Sequence, residues 1–158
     1  MSELDDISQI DHIRAAKKYV LALLSRREYS AFELQRKLQQ KHYAADVIER
    51  VLADFATEGS LSDRRFAESY TRFRQAKGFG PLRIQQELQQ RGVKQAIIDL
   101  VLNNCDTQWD EVIRQVRQKK FGHEMPEDFA SRAQQSRYLQ YRGFSHEQIH
   151  GLLSQDRV

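Results

Sequence analysis

Apolar residues recur at three- and four-residue intervals along this chain, and no run of β-branched residues alternates with polar ones as a half-buried strand would. The pattern predicts nine helices, over about 10–26, 30–42, 44–57, 62–77, 81–91, 94–104, 107–121, 126–142 and 145–155. The prolines, only two, and the glycines, only seven, mark the joints between them. Ser30 with Glu33, and Ser145 with Gln148, have the spacing of a capping box opening a helix. Pro81 and Pro126 suit the first turn of a helix, while Gly92 and Gly143 stand where a left-handed residue ends one.

The pattern repeats. Displaced by 50 residues, 29–52 falls on 79–102 without a gap, with 7 of 24 positions identical. The matched positions include Leu38/Leu88, Ile48/Ile98, Val51/Val101 and Leu52/Leu102, which follow helical spacing, so the repeated object is a buried helix face. A weaker third copy sets Arg142-Gly143-Phe144 on Arg91-Gly92-Val93, and Ile149, Leu152 and Leu153 on Ile98, Val101 and Leu102. The expected architecture is therefore all-α, with three tandem three-helix repeats at 1–59, 60–106 and 107–158. Units this small pack on their neighbours, predicting an elongated, curved, right-handed-type helical array.

Charge changes the picture in the middle repeat. Between Arg64 and Lys94 lie eight basic residues and only two acids, Glu68 and Glu87. That excess points to an anionic partner, nucleic acid or an acidic protein surface, unless it is merely a solvated helix face. No stretch approaches the ~18 apolar residues of a membrane span. The first residues carry Glu3, Asp5, Asp6 and Asp11 where an export signal has lysines, and Cys105 stands alone, so a cytoplasmic protein without disulfides or cofactor is expected.

Two segments are distinctive, GSLSDRRFAESYTRFR at 59–74 and KGFGPLRIQQELQQRGV at 77–93. They closely resemble the signature of the RecX family, with Ser62 at a position where the family more often has aspartate. The structural part of the motif is Asp63, Phe66, Ala67, Gly78, Gly80, Pro81 and Gly92. Gly78 and Gly80 are read as positive-φ residues, Asp63 as a first-turn acid, and Phe66, Tyr70 and Phe73 as a buried stripe. The resemblance implies a non-enzymatic, monomeric regulator that lodges on the filament of RecA on single-stranded DNA. It would inhibit the filament's ATPase, strand-exchange and coprotease activities, within recombinational repair and the SOS response. The cations expected at the partner, whether RecA or DNA reached through the filament, are Arg64, Arg65, Arg72, Arg74, Lys77, Arg83, Arg91, Lys94, Arg117, Lys119 and Lys120. The competing reading is a helical protein that binds single-stranded DNA directly and without sequence preference. Major-groove reading is disfavoured, because the helix over 94–104 is apolar, with only Lys94 as a base.

Three features imitate catalysis. His146-Glu147-Gln148-Ile149-His150 matches the zinc-peptidase pattern, but Ser145 caps its helix and puts His146 in an exposed first turn. Gly78-Phe79-Gly80 follows a helix, and no lysine–serine or lysine–threonine pair closes it as a phosphate loop requires. Cys105 has Asp106 beside it and no cation to lower its pKa, so a packing or surface thiol is expected. Trp109 is read as core.

Overall fold

The computed structural model describes residues 2–104 and 106–154; Cys105, and with it the expected inert thiol, lies outside them. The described residues form α-helices joined by turns: α1 (Glu3–Leu24), α2 (Ala31–Gln40), α3 (Ala45–Glu58), α4 (Asp63–Ala76), α5 (Pro81–Gln90), α6 (Gln95–Asn103), α7 (Asp106–Phe121), α8 (Phe129–Arg142) and α9 (His146–Ser154). No strand occurs among them. Contacts divide the chain into two compact units. One holds the residues up to Ser69 with Arg91–Lys94, and the other holds Tyr70–Gln90 with the chain from Gln95 onward.

The first unit packs α1 and α2 on α3. Ala16 and Val20 of α1, Leu34 and Leu38 of α2, and Val51 of α3 are fully excluded from water, with Tyr29, Val47, Ile48, Phe55 and Leu61 around them. Each such aliphatic side chain stabilises the unit by roughly 1.5–3 kcal/mol. The Ser30–Glu33 capping box forms as expected. Helix α1 begins seven residues before the expected start near residue 10. The reason is a second capping box, Ser2 with Asp5, that opens a solvated first stretch. Leu4, Ile7 and Ile10 on that stretch are exposed, so the inward-facing pattern could not announce it.

In the second unit α7, α8 and α9 pack on one another and α5 packs on α6. Ile84, Leu88, Ile98, Ile113, Leu139 and Phe144 are its most deeply buried apolar residues. Trp109 is core as expected, 2% exposed, its indole N–H on the Leu102 carbonyl at 3.4 Å. Ser145 and Gln148 complete their capping box. Pro126 is corrected: it precedes α8, whose N-cap is Asp128. The Ser131 backbone N–H bonds the Asp128 carboxylate and holds it below the usual carboxylate range.

The 50-residue offset is a structural repeat. Ala31–Gln40 and Pro81–Gln90 are helices of equal length displaced by 50, and the turn after each holds a left-handed residue, His42 at φ 64° and Gly92 at φ 75°. A further device recurs within each unit. In the first, the start of α2 meets the turn after α5: Ser30 Oγ donates to the Arg91 carbonyl at 2.8 Å, and a Cβ on Gly92 would lie 2.5 Å from Phe32 Cβ. In the second, the start of α5 meets the end of α8. The Gly80 N–H donates to the Arg142 carbonyl at 2.8 Å, and the Leu82 N–H donates to the Gly143 carbonyl at 2.9 Å. The two Arg-Gly pairs noticed in the sequence are therefore sockets, each receiving the start of the helix three earlier in the chain.

Candidate partner-binding surface

Several motif residues serve the fold itself before any charge is presented. Ser62 Oγ accepts from the Arg65 N–H at 3.2 Å and caps α4. Asp63 does more than complement the helix dipole: its carboxylate accepts the Ala31 N–H at 2.9 Å, holding the start of α2. Phe66 and Ala67 are buried, and Thr71 joins them. Phe73 does not, being 57% exposed, which corrects the expected stripe. Thr71, four residues after Ala67 and so on the same face of the helix, is buried instead.

Gly78 has the expected positive φ of 85°, whereas Gly80 does not. Gly80 is required for closeness instead. A Cβ there would lie 2.5 Å from the carbonyl carbon and oxygen of Gly143. Pro81 opens α5 as expected.

The eleven expected partner-binding cations separate into three groups. Five have internal duties. Arg64 pairs with Glu68 one turn on, at 3.1 Å. Arg65 pairs with Glu28 at 3.1 Å and donates to the Gly59 carbonyl. Arg91 lies 3.9 Å from Glu33. Arg74 and Glu87 form an ion pair at 3.0 Å, with both side chains under 20% exposed, and Tyr70 donates to the same carboxylate at 2.9 Å. Arg117 is the clear correction. It is 2% exposed and donates to the carbonyls of Glu124 and His123, so it has no surface to offer a partner. The stretch after α7 must turn back over that helix, and Arg117 satisfies its carbonyls from below.

Arg83 is intermediate: its guanidinium lies 4.4 Å from the Phe79 ring centre and reaches the Tyr141 carbonyl at 3.4 Å. Arg72, Lys77, Lys94, Lys119 and Lys120 remain. All five are exposed and make no ion pair among the described residues. Apart from Lys94, they belong to the second unit.

The sequence did not single out Phe79 and Arg142 for this surface. Three guanidiniums surround the Phe79 ring, those of Arg74, Arg83 and Arg142, at 3.9, 4.4 and 4.5 Å. The face of the ring attracts each cation, and Glu87 pairs with Arg74, while Arg83 and Arg142 make no ion pair among the described residues. The signal available was the echo of Arg91-Gly92 at Arg142-Gly143, which places an arginine at each socket.

The two imidazoles of the peptidase-like pattern are both exposed; His146 meets Gln140 at 3.1 Å and His150 meets Ser154.

Family models of RecX match along the chain: the first three-helix domain over residues 16–55, the second over 62–102 and the third over 106–153. The chain belongs to the RecX family. Among curated relatives, a protein of Pseudomonas fluorescens named Regulatory protein RecX is 42% identical over 145 residues, covering 92% of this chain and 94% of that one. Its namesake in Pseudomonas putida is 45% identical over 140 residues, covering 89% and 90%. The fold is also that of RecX crystal structures. The one from Lactobacillus salivarius superposes with a TM-score of 0.79 at 20% identity, over 92% of this chain and 96% of that one. The second RecX domain model thus spans both the capped α4 and the Gly78–Gly80 turn.

Proposed function

We propose that this chain is a negative regulator of RecA that binds the RecA–single-stranded DNA filament and lowers its ATPase, strand-exchange and coprotease activities without itself catalysing a reaction. The observation that carries the reading is the match of all three RecX domain models, joined to near-full-length relatives named as regulatory proteins. The exposed, unpaired cations support it, since they leave positive charge available to an acidic protein surface or to phosphate. Each contact of this kind is weak in water, but several engaged at once on a polymeric target add by avidity. A regulator of this sort acts by binding one state of the filament better than another.

The contacts are assigned to Arg72, Lys77, Lys94, Lys119 and Lys120, with Arg83 at the margin. Reversing Arg72 and Lys77 together to glutamate should weaken co-sedimentation with filaments at least tenfold at unchanged helicity. Arg64→Glu, which disturbs only a local pair, should weaken it less than threefold. Equal losses from the two variants would remove the assignment.

Direct, sequence-independent binding to single-stranded DNA is the second reading. It is favoured by the same cations beside the exposed rings of Phe73 and Tyr141, which could stack bases. Major-groove reading by α6 has less support, because Ile98, Val101 and Leu102 of that helix are buried.

A further inference from the structure

A cavity of about 390 Å³ opens in the second unit where the ends of α4, α7 and α8 come together. Its volume lies within the ~300–1,000 Å³ of ordinary small-molecule sites. Four of its lining side chains are cations, Lys77, Lys119, Lys120 and Arg142, and no aspartate or glutamate lines it. A concave site whose charged lining is of one sign attracts an oxyanion.

The bland alternative is that these cations only offset helix ends. Three helices do terminate here, each with roughly −0.5 charge at its C-terminus. Their sum, about −1.5, does not balance four cations. Several of the terminal carbonyls are, moreover, already bonded. Backbone N–H groups already serve them: Lys77 to Phe73, Gly78 to Gln75, Gly122 to Gln118, Gly80 to Arg142 and Gly143 to Gln140. Positive charge is left over, and the Arg83 guanidinium beside Phe79 adds to the local field.

We propose that this cavity binds a small ligand carrying two or more linked phosphates, held by Lys77, Lys119, Lys120 and Arg142. One phosphate would leave most of that charge unmatched, whereas linked phosphates set several oxyanions among the four cations. Arg142 contributes a planar fork suited to phosphate oxygens, and the three lysines contribute point charges. The ligand is either inorganic polyphosphate or the phosphate chain of a free nucleotide. This inference goes beyond control of RecA and is tested on the protein alone.

Isothermal titration with tripolyphosphate, ATP and adenosine decides it. Tripolyphosphate should bind saturably at one site, and Lys119→Gln with Lys120→Gln should weaken it at least tenfold at unchanged helicity. The charge-matched control, Arg14→Gln with Lys18→Gln on α1, should stay within twofold of the parent. ATP binding tighter than tripolyphosphate would identify a nucleotide as the source, and equal affinities the phosphate chain itself; adenosine should not bind. Absence of saturable tripolyphosphate binding would overturn the proposal, as would an equal loss in the control pair.

Discussion

Gly80→Ala should destabilise the protein by about 3 kcal/mol, at the upper end of overpacking substitutions. The added Cβ would run into the Gly143–Phe144 peptide, 2.5 Å from the carbonyl carbon and oxygen of Gly143 and 2.6 Å from the Phe144 nitrogen. A flexible side chain could swing away, but these atoms cannot without breaking the bonds that seat α5 on α8. Those bonds, Gly80 to Arg142 and Leu82 to Gly143, are 2.8 and 2.9 Å long, so the clash and the lost hydrogen bonds fall together. For a chain of this size the melting temperature should drop by about 6–12 °C. Gly151→Ala is the matched opposite. It lies inside α9 with nothing within 4 Å of its added Cβ, so the same methyl should stabilise the helix by about 0.5–1 kcal/mol. Calorimetry that finds both variants shifted in the same direction would refute the close-approach account of Gly80.

The second large effect is expected at Glu87. Its carboxylate accepts from Arg74 at 3.0 Å and from the Tyr70 hydroxyl at 2.9 Å. With both charged side chains under 20% exposed, Glu87→Ala takes the carboxylate away from a shielded guanidinium, beside two further arginines on Phe79. Fully buried pairs broken this way lose ~3–5 kcal/mol; partial exposure lowers the expectation to about 2–3 kcal/mol. Glu68→Ala removes a pair of similar length whose side chains are 58% and 39% exposed, and should change stability by less than about 0.5 kcal/mol. Urea midpoints for the two variants measure the contrast directly. Similar midpoints would mean that burial does not govern these pairs.

The contrast between Arg64–Glu68 and Arg74–Glu87 also shows what a sequence can and cannot convey about this molecule. Arg64 and Glu68 have the four-residue spacing of a local helix pair, whereas Arg74 and Glu87 lie 13 residues apart and only the fold brings them together and shields them. The helices themselves were legible because Leu34, Leu38, Ile48 and Val51 recur 50 residues later as Ile84, Leu88, Ile98 and Val101, and a buried face must keep its period. The early start of α1 was not, since Leu4, Ile7 and Ile10 bury nothing and leave no such trace. At the surface the difficulty was sharper. Arg117 and Lys119 look alike in sequence, yet one is enclosed by the carbonyls of residues 123 and 124 and the other is solvated. A basic run records how many cations exist, whereas accessibility depends on where the chain beyond α7 turns. Gly80 was recognised as a necessary glycine for an incorrect reason, because close approach to Gly143 is a long-range contact that no local pattern contains.

The most direct test of the regulatory reading is ATP turnover by RecA on single-stranded DNA, titrated with this protein. Turnover should fall at ratios well below one regulator per RecA, while a cationic protein of equal DNA affinity leaves it high at the same ratios. Unchanged turnover at equimolar protein would contradict the account.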